Sequence, residues 1–330
     1  MKEKSSLTVE PEIDLSALDD LTIEQLANEE ALGSFCLAFR QREDVLNLIH
    51  QINLLIKAVQ RRRGLSLGLL AGEQAFRNRF EQLQSQLANG LATLEWFAKN
   101  TGDLLSPREK ENLHLAWSTI SHNWEEDQLS DNFELHSHFI EQLQSMLVSL
   151  ARQLEPPLVP QLIEQGDDDS SYPQQFKKIE VLNFVARQLP EMIEQIAKVR
   201  GLSVYAASLG SVDFYNDRKL RFLLKYAREQ SDKLRHQAER INELLNNSFR
   251  SVGDLKNLEL KLLYLLNTVE QDVLSGREIK TSSQQFFTLA TEIIDVYWTV
   301  VNDGLMLLRR WHLNDLEAWQ SLSHKEASDL

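Results

Sequence analysis

Two stretches of this chain set an arginine in the middle of a core-facing helical stripe. The first runs Ile52, Ile56, Val59, Arg63, Ser66, Leu70, and the second Leu189, Ile193, Ile196, Arg200, Ser203, Ala207. Alternating steps of four and three keep each set on one face of an α-helix, and a face this apolar must be covered by other helices. The tripeptide after each arginine is the same: Gly64, Leu65, Ser66 and Gly201, Leu202, Ser203. A guanidinium holds its proton and is costly to bury alone. A duplicated arginine on a duplicated core face therefore calls for a negative partner inside the molecule.

The remaining chain follows the same periodicity. With 12 Gly and 7 Pro in 330 residues, and little two-residue alternation, the sequence predicts an all-α fold. Four of the prolines, Pro156, Pro157, Pro160 and Pro173, share a segment with Gly166, Asp167, Asp168, Asp169, Ser170 and Ser171. That is loop composition, and it divides the chain near its middle. Helices are expected at 35–71, 74–99, 107–126 and 131–154, then at 175–209, 212–248, 254–275 and 283–312. The architecture read from this order is two tandem antiparallel four-helix bundles with long helices, at 35–155 and 175–312. A Pro/Asp-rich linker at 156–174 joins them, a segment at 1–34 contributes a short helix packed on the first bundle, and 313–330 is a tail. Ser106, Pro107 and Glu109 form a capping box with a first-turn proline, as do Ser282 and Gln285 without one, and Thr22 with Gln25 would open the short helix. Pro190, inside a helical pattern, predicts either a kink or the true start of that helix, with the kink favoured.

Most chemical signals in the chain have a structural explanation. Gly64, Leu65, Ser66, Leu67, Gly68 matches the serine nucleophile elbow in letters, but that device needs a preceding strand, and none is read upstream. Gly64, Gly68 and Gly72 instead read as a ridge of small residues against which another helix approaches closely. His136 and His138, two positions apart, point to different helix faces and make a poor zinc pair. Cys36, between Phe35 and Leu37, reads as a buried small residue. As the lone cysteine it allows no intrachain disulfide and no cysteine-based metal site, which fits a reducing compartment. Arg218, Arg221, Lys225 and Arg228 form a basic row that reads as a solvated helix face, and Trp117 and Trp124 read as core residues. Glu125 and Glu126 look like solvated charge. No helix carries an acid–base pair, metal set or phosphate-cradling loop, so neither catalysis nor a cofactor is expected.

A formal charge of -14, from 49 acidic and 35 basic residues, disfavours DNA, RNA or an anionic membrane as a partner of the whole surface. The longest nearly uncharged apolar stretch, 64–72, is about half of the roughly 18 to 20 residues that span a bilayer. The N-terminus lacks the apolar core of a secretory signal, and a cytoplasmic location is expected.

The arginines stand apart from these. Arg62 adds a second guanidinium beside Arg63, and the glycine and serine after each motif arginine promise space next to it. Space and positive charge together describe an anion pocket. At this point the residues resemble a known family: Gln60, Arg61, Arg62, Arg63, Gly64, Leu65, Ser66 is similar to the signature of the nitrate- and nitrite-sensing (NIT) domain of bacterial regulators. The resemblance covers nearly the whole chain and implies two four-helix bundles in tandem. It implies that Arg62, Arg63 and Arg200 bind nitrate or nitrite between the bundles. In the second motif Ala197, Lys198 and Val199 precede Arg200, so that half offers one guanidinium where the first offers two. A further arginine of the second bundle serves in a relative, and no motif places it here; Lys261 and Arg250 are the cations considered for it. Relatives join this sensor to RNA-binding antitermination, histidine kinase or chemotaxis modules, and the 18 or so residues after 312 cannot hold one. The expectation is a cytoplasmic, non-catalytic receptor in signal transduction and transcription regulation. It would act as a homodimer through a separate output protein, or be a fragment of a longer one. The alternative is a helical scaffold or adaptor for a protein partner, in which the arginines are structural ion pairs.

Overall fold

The computed structural model describes residues 20–101, 104–158 and 174–326. Among them there is no strand, and the chain is helical nearly throughout. The α-helices are α1 (Asp20–Leu70), α2 (Arg77–Asn100), α3 (Pro107–Ser121), α4 (Leu129–Arg152), α5 (Gln174–Asn183), α6 (Leu189–Leu209), α7 (Phe214–Leu244), α8 (Arg250–Thr268) and α9 (Ser283–Glu326). The expected linker at 156–174 lies almost wholly outside the described residues, as do residues 1–19 and 327–330.

The two arginine helices sit at the centre. Along α1, residues 62–69 are all buried, and α6 is buried around most of its circumference from Leu189 to Ala206. A helix apolar on every side belongs inside a protein rather than on its surface. Here α1 packs against α2 and α4 on one side and against α6 and α9 on the other, while α6 packs against α7 and α9 as well. The α1–α6 seam is therefore where the earlier and later parts of the chain meet. The glycine ridge makes the approach close: a Cβ on Gly68 would lie 2.5 Å from the Phe76 ring and 3.2 Å from Val204, and one on Gly201 would lie 3.0 Å from Leu67. Gly72 differs. It follows the helix with φ of +93° and has open space around it, so it terminates α1 rather than extending the ridge.

Local signals explain most helix ends. The Ser106 hydroxyl accepts from the Glu109 amide at 3.2 Å while the Glu109 carboxylate accepts from the Ser106 amide at 2.8 Å, closing the expected capping box. Ser282 and Gln285 do the same at the start of α9. Asp213 caps α7 through the Asn216 amide. Pro190 does not break its helix. A π-helical turn at Phe184–Gln188 joins α5 to α6, with the Leu189 amide reaching back to the Phe184 carbonyl. The wider turn accommodates the missing proline N–H, and the Pro190 carbonyl accepts from Gln144 of α4 at 2.9 Å.

Two expectations are corrected at the ends of the long helices. No separate short helix precedes the first motif helix: α1 runs unbroken from Asp20, with Thr22 and Gln25 inside it, and α9 continues to Glu326 instead of stopping near 312. The continued α9 packs on the α1 stretch around Phe35 and Phe39. Phe35 stacks on Trp319 with ring centroids 4.5 Å apart, Phe39 stacks on His312 at 4.0 Å, and the His312 ring nitrogen donates to the Phe39 carbonyl. Since only a narrow strip of α1 packs here, Cys36 faces outward and is exposed rather than buried.

Alanine at two helical glycines should have opposite effects. Gly90 of α2 is exposed with nothing near its missing Cβ, so Gly90→Ala should stabilise by roughly 0.5–1 kcal/mol through helix propensity alone. Gly68→Ala gains the same propensity but drives a methyl into the buried Phe76 ring, and should cost about 1–3 kcal/mol by urea denaturation.

Candidate functional site

Arg62, Arg63 and Arg200 are all fully buried, none more than 1% exposed. They do not converge on one point. Successive residues of a helix diverge by about 100°, so Arg62 and Arg63 leave α1 in different directions.

Arg62 turns toward α2 and α4. Its guanidinium lies 4.8 Å from the centre of the Phe80 ring and also faces Trp117 and Trp124. One terminal nitrogen is 2.6 Å from His136 Nε2, and the other reaches Gln84 at 3.4 Å. His136 Nδ1 is 2.7 Å from the Asn132 carbonyl, which fixes the proton on Nδ1 and leaves Nε2 as acceptor for the arginine. The ring must be neutral to do this. Burial, then the charge of Arg62, push its pKa well below the ordinary value. Burial also lowers Arg62 itself to about 10, against the raising effect of the partly buried Asp127.

Arg63 turns toward α6 and α4. Its two terminal nitrogens donate to the two oxygens of Glu194 at 2.7 and 3.1 Å, a forked pair in which the carboxylate is 2% exposed. Ser137 of α4 accepts from the same guanidinium at 2.9 Å. Gln60, one turn earlier on α1, donates its side-chain amide to Glu194 at 2.9 Å. Arg200 then closes the seam from the other side: it donates to the Gln60 carbonyl at 2.7 Å and to Thr291 of α9 at 2.9 Å, with its guanidinium 4.9 Å from the Phe287 ring centre. No carboxylate among the described residues bonds to it. Burial, followed by the charges of Arg63 and Arg61, lowers its pKa to about 9.

The charges do not balance. Around the α1–α6 seam, among the described residues, three buried guanidinium groups less the buried carboxylate of Glu194 leave two positive charges; Asp295 is 40% exposed and already pairs with Lys57 and Arg61, and the buried Asp315 pairs with Lys178. Among the described residues the Nε of each of the three arginines and the Ser203 hydroxyl are buried donors without a partner, and the Gln60 Oε1 is a buried acceptor without one. Uncompensated buried charge with spare donors is what an anion would satisfy.

The expected space beside the motif arginines needs correction. A Cβ on Gly64 would meet Phe287 at 3.2 Å and Arg200 Nε at 3.3 Å, so the gap left by this glycine is filled by the facing side chains. Glycine here permits close approach of Arg200 to α1. Lys261 and Arg250, considered for a fourth cation, lie exposed on α8, and Lys261 is 3.9 Å from Glu292. The basic row on α7 is solvated charge: Arg221 pairs with Asp217, Arg228 with Glu270 and Lys225 approaches Glu229. Ser66 is a buried helical residue bonded to Asn132, not a raised nucleophile, and no cluster suited to a metal ion occurs among the described residues.

Glu194, His136 and Ser137 were missed by the sequence reading. A signal for Glu194 existed: Ala197 and Gly201, three and seven positions on, put it in a row of small residues where a surface carboxylate would not need them. No protein-family model, curated protein or solved structure matches the chain.

His136 should make the fold acid-sensitive. Folded, it stays neutral below its ordinary pKa; unfolded, it takes a proton below about pH 6.5. Unfolding therefore binds a proton on that side, and stability falls as pH drops below about 6.5. His136→Gln, which can still accept from Arg62, should flatten this part of the urea-midpoint profile.

Proposed function

We propose that this protein is a receptor for nitrate or nitrite, with the anion held at the α1–α6 seam by Arg63 and Arg200 and with Arg62 adding positive potential from behind. The observation that carries the reading is the surplus of two buried positive charges around the central helix pair. The motif at Gln60 to Ser66 and its similarity to NIT domains supply the ligand class. A small planar oxyanion accepts forked guanidinium hydrogen bonds that a spherical chloride cannot, and such bonds are strong in a low-dielectric interior. The same reading divides the chain into two tandem four-helix bundles, with α1 central to the first and α6 to the second. An anion bridging them would bias their arrangement, typically by a coupling of about 1–3 kcal/mol. The protein does no chemistry on its ligand in this reading. It signals in the cytoplasm, as a homodimer, to a separate regulatory output.

One observation favours a second reading. The forked Arg63–Glu194 pair is a complete internal ion pair, as a helical scaffold or adaptor would have. That reading leaves Arg200 and Arg62 without carboxylates.

Thermal denaturation in nitrate, nitrite and chloride at matched ionic strength separates the two. The receptor reading expects a higher midpoint in nitrate or nitrite than in chloride. Arg200→Ala should abolish the difference, while Arg218→Ala on the solvated row should not. Arg63→Ala is the less clean variant, because it strands Glu194 and should cost about 3–5 kcal/mol by itself. Equal midpoints in all three salts would leave the scaffold reading standing. Binding should also depend on pH in one direction. Arg200 is fully charged below its lowered value of about 9, so affinity stays level to about pH 8 and then weakens by up to tenfold per unit as binding must take up a proton. Isothermal titration across that range tests it.

A further inference from the structure

The Glu194 carboxylate is itself a planar group with two oxygens, and the seam holds it as it would hold a planar oxyanion. Arg63 donates to one oxygen at 2.7 Å and to the other at 3.1 Å, and Gln60 donates to the second at 2.9 Å. The carboxylate is nearly sealed from solvent. A second cation waits beside it: Lys198, one turn further along α6, lies 3.8 Å from Glu194 and is partly exposed, with Glu141 of α4 at 3.5 Å from the same ammonium. Arg200, six positions after Glu194, comes from the same helix.

We infer that Glu194 is a built-in competing anion, occupying the Arg63 fork when no ligand is bound and yielding it to nitrate or nitrite by turning toward Lys198. The inference rests on the anion-receptor reading and adds its regulation. Exchange keeps the charges paired throughout: the fork loses one carboxylate and gains one anion, while Glu194 trades a buried guanidinium for an ammonium near the surface. Because the displaced group belongs to α6 and the vacated fork to α1, ligand exchange cuts one α1–α6 tie and makes another. Binding is thereby converted into a change at the seam. It also sets a threshold, since the apparent affinity is reduced by the fraction of molecules in which Glu194 holds the fork.

Glu194→Gln removes the competing charge while keeping an acceptor for Arg63. In nitrate titrations by calorimetry it should bind about tenfold more tightly than the native chain. In anion-free buffer it should melt lower than the native chain and regain the loss when nitrate is added. Native and variant chains binding nitrate with equal affinity would overturn the exchange and leave the receptor reading intact. Neither chain distinguishing nitrate or nitrite from chloride would remove the receptor reading, and the exchange with it. Should Glu194→Gln not fold, Lys198→Met at its partly exposed site provides a second test. Weaker nitrate binding in a folded Lys198→Met chain supports the exchange, and unchanged binding overturns it.

Discussion

Three buried guanidinium groups at the α1–α6 seam, with the single buried carboxylate of Glu194 among them, form the constraint around which the rest of the described structure is arranged. Such groups cannot be neutralised by losing a proton at ordinary pH, and burial makes each one expensive. The fold lowers that cost with what neutral chemistry offers. Arg62 is boxed by Phe80, Trp117 and Trp124 and given a neutral imidazole acceptor; Arg200 is laid over Phe287 and given a backbone carbonyl and a threonine. Aromatic faces and carbonyls attract a cation without cancelling its charge. The residual positive potential is a property of the design, and it survives because α1 and α6 are covered on all sides.

The internal repeat is symmetric in sequence and asymmetric in chemistry. Arg63 and Arg200 occupy equivalent stripes with identical following tripeptides, yet one meets a glutamate and the other does not. The reason lies at the position six before each arginine. It is Glu194 in the second repeat and Lys57 in the first, and Lys57 turns outward to Asp295 at 2.9 Å. A matched pair of glutamates would have neutralised both arginines. The substitution of a lysine for one of them leaves Arg200 as a buried cation next to an occupied fork.

The helices were legible because their code is local. Apolar residues at three and four spacing, caps at Ser106 and Ser282 and the terminating Gly72 act within a turn or two, so the helix limits fall close to their expected positions. The extension of α9 beyond His312 was not legible, since its contact with α1 joins residues far apart in sequence, Trp319 stacking on Phe35. The arginine stripes were legible as buried faces, and every stripe residue from Ile52 to Ser66 and from Leu189 to Ser203 is buried. What could not be read was where each guanidinium points once the helices pack. Direction about the axis separates Arg62 from Arg63, and only the packing of α6 on α1 brings Glu194 to the fork.

That packing also limits what the seam can admit. With Gly64 against Arg200 and Phe287, and Gly201 against Leu67, the helices are as close as glycine allows. A ligand much larger than a carboxylate would force α1 and α6 apart along their length and lose apolar contacts on both sides of the seam, because close-packed interiors relax only partly. In the proposed exchange, a ligand of carboxylate size that presents two oxygens in one plane would replace Glu194 with little loss of packing. On that proposal size and planarity would select together, through glycine contacts for the first and the Arg63 fork for the second. The helix pair that positions the charge would, on the proposed reading, also measure the guest.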